Sequence, residues 1–452
     1  MRVDLLIAEI GSTTTVINAF NIGVDNTGFV GEGHSQTSVM EGDVNIGLEA
    51  AIKDLCRNLD ISSIEYDEFM ASSSAAGGLK MTVHGLVHDM TVRAAKESAL
   101  GAGANIKFIT SGKLRRSDLK KIQDIEPNII LLAGGVDHGE RDTAIYNSQL
   151  IAELKLDIPI IYAGNAENDE EIRSIFESEN IEIYIVENVY PRIDTLNIKP
   201  TRLAIQEVFE KHIIHAKGMD KIREMVDGPI MPTPGAVMEA TILLYESIGN
   251  ILTIDVGGAT TDIHSISQET EEVGKILIRP EPHEKRTVEG DLGVYINSRN
   301  LFKILEEENL LDRFEITQEE LTGYMDKIKA IPKSQEEINS TRILTSISSQ
   351  AALYRHAGMI KEIYGPTGKK TIAEGKDLSA VKTLIATGGA LTKLPAMKEE
   401  LERIIREKKP LYLLPSEVEI LIDKDYIMAS IGVMSTRYPQ AALKIMENSL
   451  KK

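Results

Sequence analysis

Two segments of the chain bring a carboxylate, glycine and hydroxyl side chains together in the same order. Their members are Glu9, Gly11, Ser12, Thr13 and Thr14 in the first segment, and Asp255, Gly257, Gly258, Ala259, Thr260 and Thr261 in the second. Glycine lets a backbone come close to a phosphate, and consecutive N–H groups in a turn attract an anion. Hydroxyl groups add hydrogen bonds without adding charge. Two such turns that face each other would hold a polyphosphate from both sides.

The carboxylates of these segments are the candidate catalytic and metal-binding groups. Glu9 and Asp255 each stand near the end of a short aliphatic run that is typical of a buried strand. A carboxylate repels phosphate, so we expect both to act through Mg²⁺ and its waters, with Asp262 as a third candidate ligand. A single carboxylate of this kind would more often cap a turn, but the matched pair favours metal or water positioning.

A third segment is suited to a flat ring. The strand predicted at 384–387 ends in Gly388, Gly389 and Ala390, where a ring could lie against bare backbone. The next helix is predicted to begin near Pro395.

The apolar pattern predicts the elements that must hold these segments. Residues 1–33 are typical of a tight β-meander, and the same strand–turn–strand pattern recurs at 251–267. Between them, Val44, Leu48 and Leu55 fall on one face of a predicted helix.

Two further stretches are predicted to be insertions. Within 76–200, short aliphatic runs alternate with helical stretches, which predicts a parallel sheet. Residues 300–375 are charged and are predicted to be mainly helical.

Composition limits the classes of partner. The chain has 452 residues, with 50 basic and 69 acidic side chains and a net charge of −19, so nucleic acid and anionic membranes are poor partners. The single cysteine, Cys56, excludes an intramolecular disulfide framework and a multi-cysteine zinc site, and its place on an apolar helical stripe predicts a buried thiol. No signal peptide or membrane span is predicted, so we expect a cytoplasmic protein.

The three segments resemble the phosphate 1, phosphate 2 and adenosine motifs of the actin/heat-shock-chaperone/sugar-kinase superfamily. Residues 234–240 and 429–433 resemble its two connecting helices. The resemblance implies an α/β fold of two ribonuclease-H-like halves with ATP and Mg²⁺ in the cleft between them.

The same resemblance implies how the chain is divided. The first half would comprise 1–75 plus 200–248, and the second 249–299 plus 376–440. Residues 76–199 would form an inserted α/β subdomain and 300–375 an inserted helical one.

The chain also departs from the superfamily pattern. Glu9 stands where aspartate is usual, and Ala259 stands where chaperone ATPases often have glycine. ATP binding is therefore a safer expectation than fast turnover.

Over nearly its whole length the chain resembles the MutL/GlmL family, the accessory proteins of glutamate (methylaspartate) mutase systems. The segments that carry the resemblance are 8–15, 132–137, 255–262 and 289–293. It implies an ATPase that serves an adenosylcobalamin-dependent mutase as a reactivating chaperone. The mutase subunits would be its partners, and a homodimer is left open.

Three other functions fit the same fold. A small-molecule kinase would need an aspartate base in the cleft, for which Asp262 and Asp291 are candidates. A filament-forming protein would need no rapid chemistry. A dehydratase activator would need cysteines for an iron–sulfur cluster, which one Cys56 does not favour.

Glycines and histidines outside the cleft leave two interpretations open. Gly134 and Gly135 follow a predicted strand and would either bind a ligand or form a tight turn. His138 lacks the Asp-x-His-x-x-Gly spacing of a cobalamin ligand. His84 and His88 are four residues apart, but their β-like neighbours favour core or solvated histidines over a metal site.

Overall fold

The computed structural model describes residues 1–11, 14–38, 43–74, 79–212, 219–228, 230–325, 327–365 and 368–451. The strands within these ranges are β1 Arg2–Ile10, β2 Thr14–Asn21, β3 Gly28–Gln36, β4 Glu65–Ser73, β5 Leu79–Gly85, β6 Ala104–Ser111, β7 Ile129–Leu132, β8 Ile160–Tyr162, β9 Ile183–Ile185, β10 Ile230–Pro232, β11 Ile251–Val256, β12 Thr261–Ile266, β13 Glu284–Glu289, β14 Met359–Gly365, β15 Gly368–Glu374, β16 Thr383–Thr387 and β17 Glu419–Ile422.

Helices connect and cover these strands. They are α1 Val44–Asn58, α2 Arg93–Gly101, α3 Arg116–Ile125, α4 Asp142–Ala152, α5 Asp169–Ser178, α6 Ile198–His212, α7 Met219–Met225, α8 Thr233–Ile248, α9 Glu271–Gly274, α10 Ser298–Glu307, α11 Leu311–Phe314, α12 Gln318–Met325, α13 Gln335–His356, α14 Gly389–Lys393, α15 Met397–Arg406, α16 Met428–Ser435 and α17 Pro439–Lys451. None of those described is long and apolar enough to cross a membrane.

Two five-stranded sheets share one topology. The first has the order β10-β4-β1-β2-β3 and the second β13-β12-β11-β16-β17. In each, three strands form an antiparallel meander and the two following strands run parallel to its first strand. The prediction of two ribonuclease-H-like halves is therefore confirmed. The exact domain boundaries stay a prediction.

The two halves share a buried apolar core. Ile7 of β1, Ile251 of β11 and Ile385 of β16 belong to one cluster with residues of α8 and α16. The alternate residues of β1, such as Leu6, face a second cluster that includes Leu48 of α1. Burial on both faces is why the central strands are aliphatic runs without polar alternation.

The inserted sheet is fully parallel, as predicted. Its order is β6-β5-β7-β8-β9, and the helices α2 to α5 lie between successive strands. Strand β6 pairs with β5 and, within the described ranges, with no further strand, so it forms one edge of this sheet.

The structure adds one element that the sequence did not indicate, and it shows that the expectation of a buried Cys56 was wrong. The region 300–375 includes the hairpin β14–β15 in addition to helices. Its strands are largely exposed and carry the cross-strand ion pairs Lys361–Glu374 and Lys369–Glu362, so no apolar alternation marks them. Cys56 is partly exposed on α1 and is not a buried thiol.

Candidate functional site

The two predicted hairpins are built in the same way. The backbone N–H of Gly11 donates to the carbonyl of Thr14 at 2.9 Å, and that of Gly257 donates to the carbonyl of Thr260 at 2.9 Å. A Cβ atom on Gly11 would lie 2.7 Å from the Thr14 carbonyl oxygen, which explains the glycine. Ser12 and Thr13 lie outside the described residues.

The strand registers make Glu9 and Asp255 equivalent positions. Glu9 pairs with Val16 across the first hairpin, and Asp255 pairs with Asp262 across the second. Each carboxylate thus stands two residues before the glycine of its hairpin. The two halves place them at corresponding ends of their central strands.

Glu9 lies in a cluster of carboxylates of which Asp423 is buried and Asp255 is half-buried. Its side chain is 9 % exposed. Burial, and then the charges of Asp255 and Asp423, raise the pKa of Glu9 to about 8, against a hydrogen bond from Tyr426 that lowers it. Among the described residues, no lysine or arginine forms an ion pair with Glu9. Burial and the charges of Asp255 and Asp423 are therefore the main influences on the pKa of Glu9.

Asp255 faces a different balance of charges. Burial raises the pKa of Asp255 to about 7, with further contributions from Asp262 and Asp423, while Arg286 lowers it. A group of buried carboxylates without enough cations to neutralise them has the donor chemistry that a divalent cation requires. Among the described residues, however, no group of three or more acidic, histidine or cysteine side chains is arranged so that it could hold a metal ion. The assignment of Glu9 and Asp255 as Mg²⁺ ligands therefore stays a prediction.

Asp423 and Tyr426 belong to this cluster but were not identified from the sequence. Asp423 is fully buried and accepts hydrogen bonds from the N–H groups of Ile427 and Met428 and from the Thr387 hydroxyl. It thereby caps the start of α16, which begins at Met428. An aspartate shortly before a helix was the available sequence signal. The Tyr426 backbone has φ of 52°, and its ring lies parallel to that of His34 with the centroids 6.5 Å apart.

Gly388 explains why the third segment needs glycine. It has φ of 86°, and a Cβ atom there would lie 2.4 Å from Asp255 Oδ1 and 2.6 Å from the Val256 nitrogen. The end of β16 therefore lies directly against β11, the first strand of the second hairpin. Gly389 and Ala390 lie in the first turn of α14, so a short helix precedes the one predicted near Pro395.

The segment after β13 donates hydrogen bonds to the carbonyl groups of the second hairpin turn. Tyr295 and Ile296 donate their N–H groups to the Gly258 carbonyl at 2.9 and 2.8 Å, and the Asn297 side chain donates to the Ala259 carbonyl at 2.8 Å. A Cβ atom on Gly293 would collide with Ala259, so this contact requires glycine. The pattern at 289–293 marked this segment in the sequence, but its supporting role was not predicted.

Two predicted ligands in the second hairpin already have protein partners. Thr261 is fully buried and its hydroxyl donates to the Leu292 carbonyl at 3.0 Å. Asp262 Oδ1 accepts from Arg286 Nη2 at 2.7 Å, and its Oδ2 accepts from the Thr260 hydroxyl at 3.0 Å. Their assignments to nucleotide and metal stay predictions.

Arg286 connects this hairpin to the inserted sheet. Its side chain is 2 % exposed, and its Nη1 donates to the carbonyl of Leu100, in the last turn of α2, at 2.7 Å. The ion pair Arg93–Glu281 lies along the same contact, and Arg202 of α6 pairs with Glu284 beside it. The insertion is thus fixed to the second half directly behind Asp262.

Ion pairs cross between the halves, among them Arg437–Glu68 and the pair formed by Lys393 and Glu32. Lys393 of α14 donates to Glu32 Oε1 of β3 at 2.6 Å, and His34 Nε2 lies 3.2 Å from Glu32 Oε2. Burial would raise the pKa of Glu32, but hydrogen bonds from His34 and Lys393 lower it below its usual value. Because the ring of His34 lies parallel to that of Tyr426, this pair is continuous with the carboxylate cluster.

Packing accounts for the other conspicuous glycines and histidines. A Cβ atom on Gly134 would lie 3.0 Å from the Tyr162 hydroxyl, and one on Gly135 would lie 2.7 Å from the Glu140 carbonyl oxygen. The tight-turn interpretation is therefore sufficient. His84 is fully buried between the hydroxyls of Thr82 and Thr110, and burial lowers its pKa to about 3.

A family model described as MutL protein matches residues 5–450. The chain belongs to the MutL family. The protein MutL of Clostridium tetanomorphum is 35 % identical over 460 residues, which cover 99 % of this chain and 99 % of that one. Likeness at this length places the whole chain, insertions included, within the MutL family.

Solved structures are more distant from this MutL-family chain. A nucleotide-free acetone carboxylase aligns with 96 % of the chain and 70 % of its own, at 13 % identity and a TM-score of 0.40. Xylulose kinase from Bifidobacterium adolescentis aligns with 97 % of this chain and 94 % of its own, at 12 % identity and a TM-score of 0.31. Component A of the Acidaminococcus fermentans (R)-2-hydroxyglutaryl-CoA dehydratase covers 99 % of both chains at 8 % identity and 0.29. These likenesses are weak, so the fold rests on the strand order of the two sheets.

Proposed function

We propose that this MutL-family chain binds Mg-ATP between its two halves and acts as an ATP-driven reactivating chaperone for an adenosylcobalamin-dependent mutase of the glutamate mutase type. One observation supports the nucleotide site above all. Glu9 and Asp255 occupy equivalent positions of two matched hairpins, and the charge of one raises the pKa of the other. A single metal–triphosphate between the hairpins would satisfy both.

Each motif has a separate task in this proposal. The N–H and hydroxyl groups of the hairpin turns, at 11–14 and 257–261, would bind the phosphates. The adenosine part would lie against 388–390, next to Asp255. Glu9 and Asp255 would hold Mg²⁺, which supplies charge neutralisation when bound. Asp262, held by Arg286, would assist through water or by positioning Thr260.

The chemistry of Glu9 favours slow turnover. With its pKa raised to about 8, Glu9 is mostly protonated near neutral pH in the absence of a cation, so it cannot accept a proton from water until a bound cation restores the carboxylate. Its side chain is one methylene longer than the aspartate usual in the superfamily, which changes where a water or cation lies. Slow hydrolysis suits a protein in which ATP sets a conformation and is not consumed by rapid catalysis.

The reactivating role follows from the family resemblance together with the contacts of the insertion. Cobalamin-dependent mutases lose the reactive group of their cofactor during turnover, and a chaperone that opens the mutase would let the damaged cobalamin exchange. ATP can drive this only if the closed and open clefts bind the mutase with different affinity. The contacts between Arg286 and Leu100 give a route by which cleft closure would move the insertion.

The test is recovery of mutase activity. Inactivated mutase would be mixed with the chain, adenosylcobalamin and Mg-ATP, and recovery should be faster than with ADP or without nucleotide. Glu9→Gln and Asp255→Asn variants should give no ATP-dependent recovery. If wild-type chain and Mg-ATP leave the recovery rate unchanged, the chaperone proposal fails, and direct titration with ATP then decides the nucleotide site alone.

A kinase function has less support. Both candidate bases are occupied by arginines, Asp262 by Arg286 and Asp291 by a two-oxygen contact with Arg355. The hydrogen bond from Arg355 lowers the pKa of Asp291 below its usual value, which weakens it as a base. Phosphoryl transfer to a panel of sugars and carboxylic acids would be needed to revive this alternative. A homodimer stays a prediction.

A further inference from the structure

A basic surface lies at the outer edge of the inserted sheet, on β6, α3 and the loop between them. Its members are Lys107, Lys113, Arg115, Arg116, Lys120 and Lys121, and all six are exposed. Within 107–121 the only acidic residue is Asp118, so six positive charges stand against one negative charge. The rest of the chain is strongly acidic, since the total net charge is −19.

Within the part of the chain that the structure describes, no acidic side chain forms an ion pair with the basic surface, whereas basic residues on other helices commonly pair with an acid four residues away. Lys121 lies over the ring of Phe108, 4.0 Å from its centroid, and Lys113 lies 5.2 Å from that of Tyr146. Like charges in such a cluster repel one another, and a partner of opposite charge that covers the cluster would relieve this repulsion.

The centre of the basic surface is an open depression of about 580 Å³. Phe108 and Leu114 contribute apolar lining, and Thr110 and Ser111 contribute hydroxyl groups. The charged side chains at its wall are the cations Lys113 and Arg115 and one carboxylate, Asp118. Arginine and lysine side chains beside hydroxyl donors form charge-assisted hydrogen bonds with carboxylates. The depression therefore fits acidic side chains that project from a protein surface.

The basic surface is connected to the proposed nucleotide cleft through the turn that precedes β6. Strand β6 follows α2 after a turn at 102–103, and the Leu100 carbonyl in the last turn of α2 is held by Arg286. On the other side of the turn, a Cβ atom on Gly103 would lie 2.9 Å from the backbone nitrogen of Gly235 in α8. The turn that leads into the basic surface thus contacts both halves, and a change in their separation must move it.

We infer that the basic surface is the docking site for an acidic face of the mutase, and that cleft closure changes its position relative to the halves. This inference rests on the proposed function for the identity of the partner. It adds the surface that recognises the mutase and the charge of the face that is recognised. Attraction between opposite charges would mainly raise the association rate and make it sensitive to salt.

The test is a charge reversal with a matched control. The triple variant Lys113→Glu, Arg116→Glu, Lys120→Glu changes the net charge by six. The control reverses Lys370, Lys398 and Lys444, which are exposed, lie elsewhere and form no ion pair among the described residues. Association with purified mutase in the presence of Mg-ATP is measured by surface plasmon resonance at low and at high salt. ATP affinity and the melting temperature of each variant report on the fold.

The expected result is an association rate at least about tenfold lower for the first variant at low salt, with the difference lost at high salt, and an unchanged rate for the control. Equal losses in both variants, or none in the first, would overturn the docking site and leave the proposed function standing. Wild-type chain that binds ATP but never the mutase would overturn both. A dimer of the chain that only the first variant disrupts, without loss of mutase binding, would assign the surface to a second copy and refute the inference.

Discussion

The substitution Gly432→Ala tests whether the crossing of α8 and α16 sets the separation of the two halves. Each helix follows the parallel strand at the edge of its own sheet, and Gly432 lies inside α16 against the backbone of α8. A Cβ atom on Gly432 would lie 1.7 Å from the carbonyl oxygen of Ala236 and 2.5 Å from its carbonyl carbon. The clash is with buried backbone, so no side chain can rotate to relieve it.

The size of the effect follows from this geometry. To bring the new carbon to the 3.0 Å that real contacts respect, the helices must separate by about 1.3 Å. Overpacking of this kind typically costs about 1–3 kcal/mol, which outweighs the gain of roughly 0.5–1 kcal/mol expected when alanine replaces glycine inside a helix. We therefore expect Gly432→Ala to lower the free energy of unfolding. Because the shift occurs where the halves meet, ATP affinity should fall as well.

Gly323→Ala is the matched control. Gly323 also lies in a helix, α12, but a Cβ atom there would meet nothing within 4 Å. This variant should be more stable than wild type by roughly 0.5–1 kcal/mol, with unchanged ATP affinity. Urea unfolding followed by circular dichroism, with and without Mg-ATP, gives both quantities. If Gly432→Ala proves as stable as wild type, the tight crossing described above does not exist in solution.

Three further predictions concern the cleft. Because burial raises the pKa of Glu9 and Asp255 above the unfolded values near ~4, the folded state holds more protons, so stability without ligand should fall between pH ~4 and ~8. Mg-ATP affinity should rise over the same range, and a Glu9→Gln variant whose melting temperature has the wild-type pH dependence would contradict this. Arg286→Met should cost about 3–5 kcal/mol in urea unfolding, since it leaves the Asp262 charge buried without a partner; a loss under ~1 kcal/mol would argue against the buried pair. Gly388→Ala, which combines φ of 86° with a collision at Asp255, should weaken ATP binding at least about tenfold by calorimetry, and unchanged affinity would place the nucleotide elsewhere.

Local patterns in the sequence were sufficient for the hairpins and the sheets. A buried strand must be aliphatic, and the tight turn at Gly11 lacks room for a Cβ atom, while a Cβ atom at Gly257 would make a close contact. These two glycines and their flanking strands can therefore be recognised from local sequence alone. The repetition of this unit predicted the two halves, and the alternation of strands and helices predicted the parallel inserted sheet. These features depend on neighbours a few residues away.

What the tertiary structure alone decided are the contacts between distant residues. Arg286 and Leu100 are 186 residues apart, and Glu32 and Lys393 are 361 apart. Neither partner has a local pattern that distinguishes it from other charged or apolar residues. Their meeting depends on how whole helices and sheets pack, and the same packing brings Tyr426 to Glu9. The sequence determined which segments could bind phosphate, whereas the packing of the two halves determined which charges surround them and how the insertion is attached.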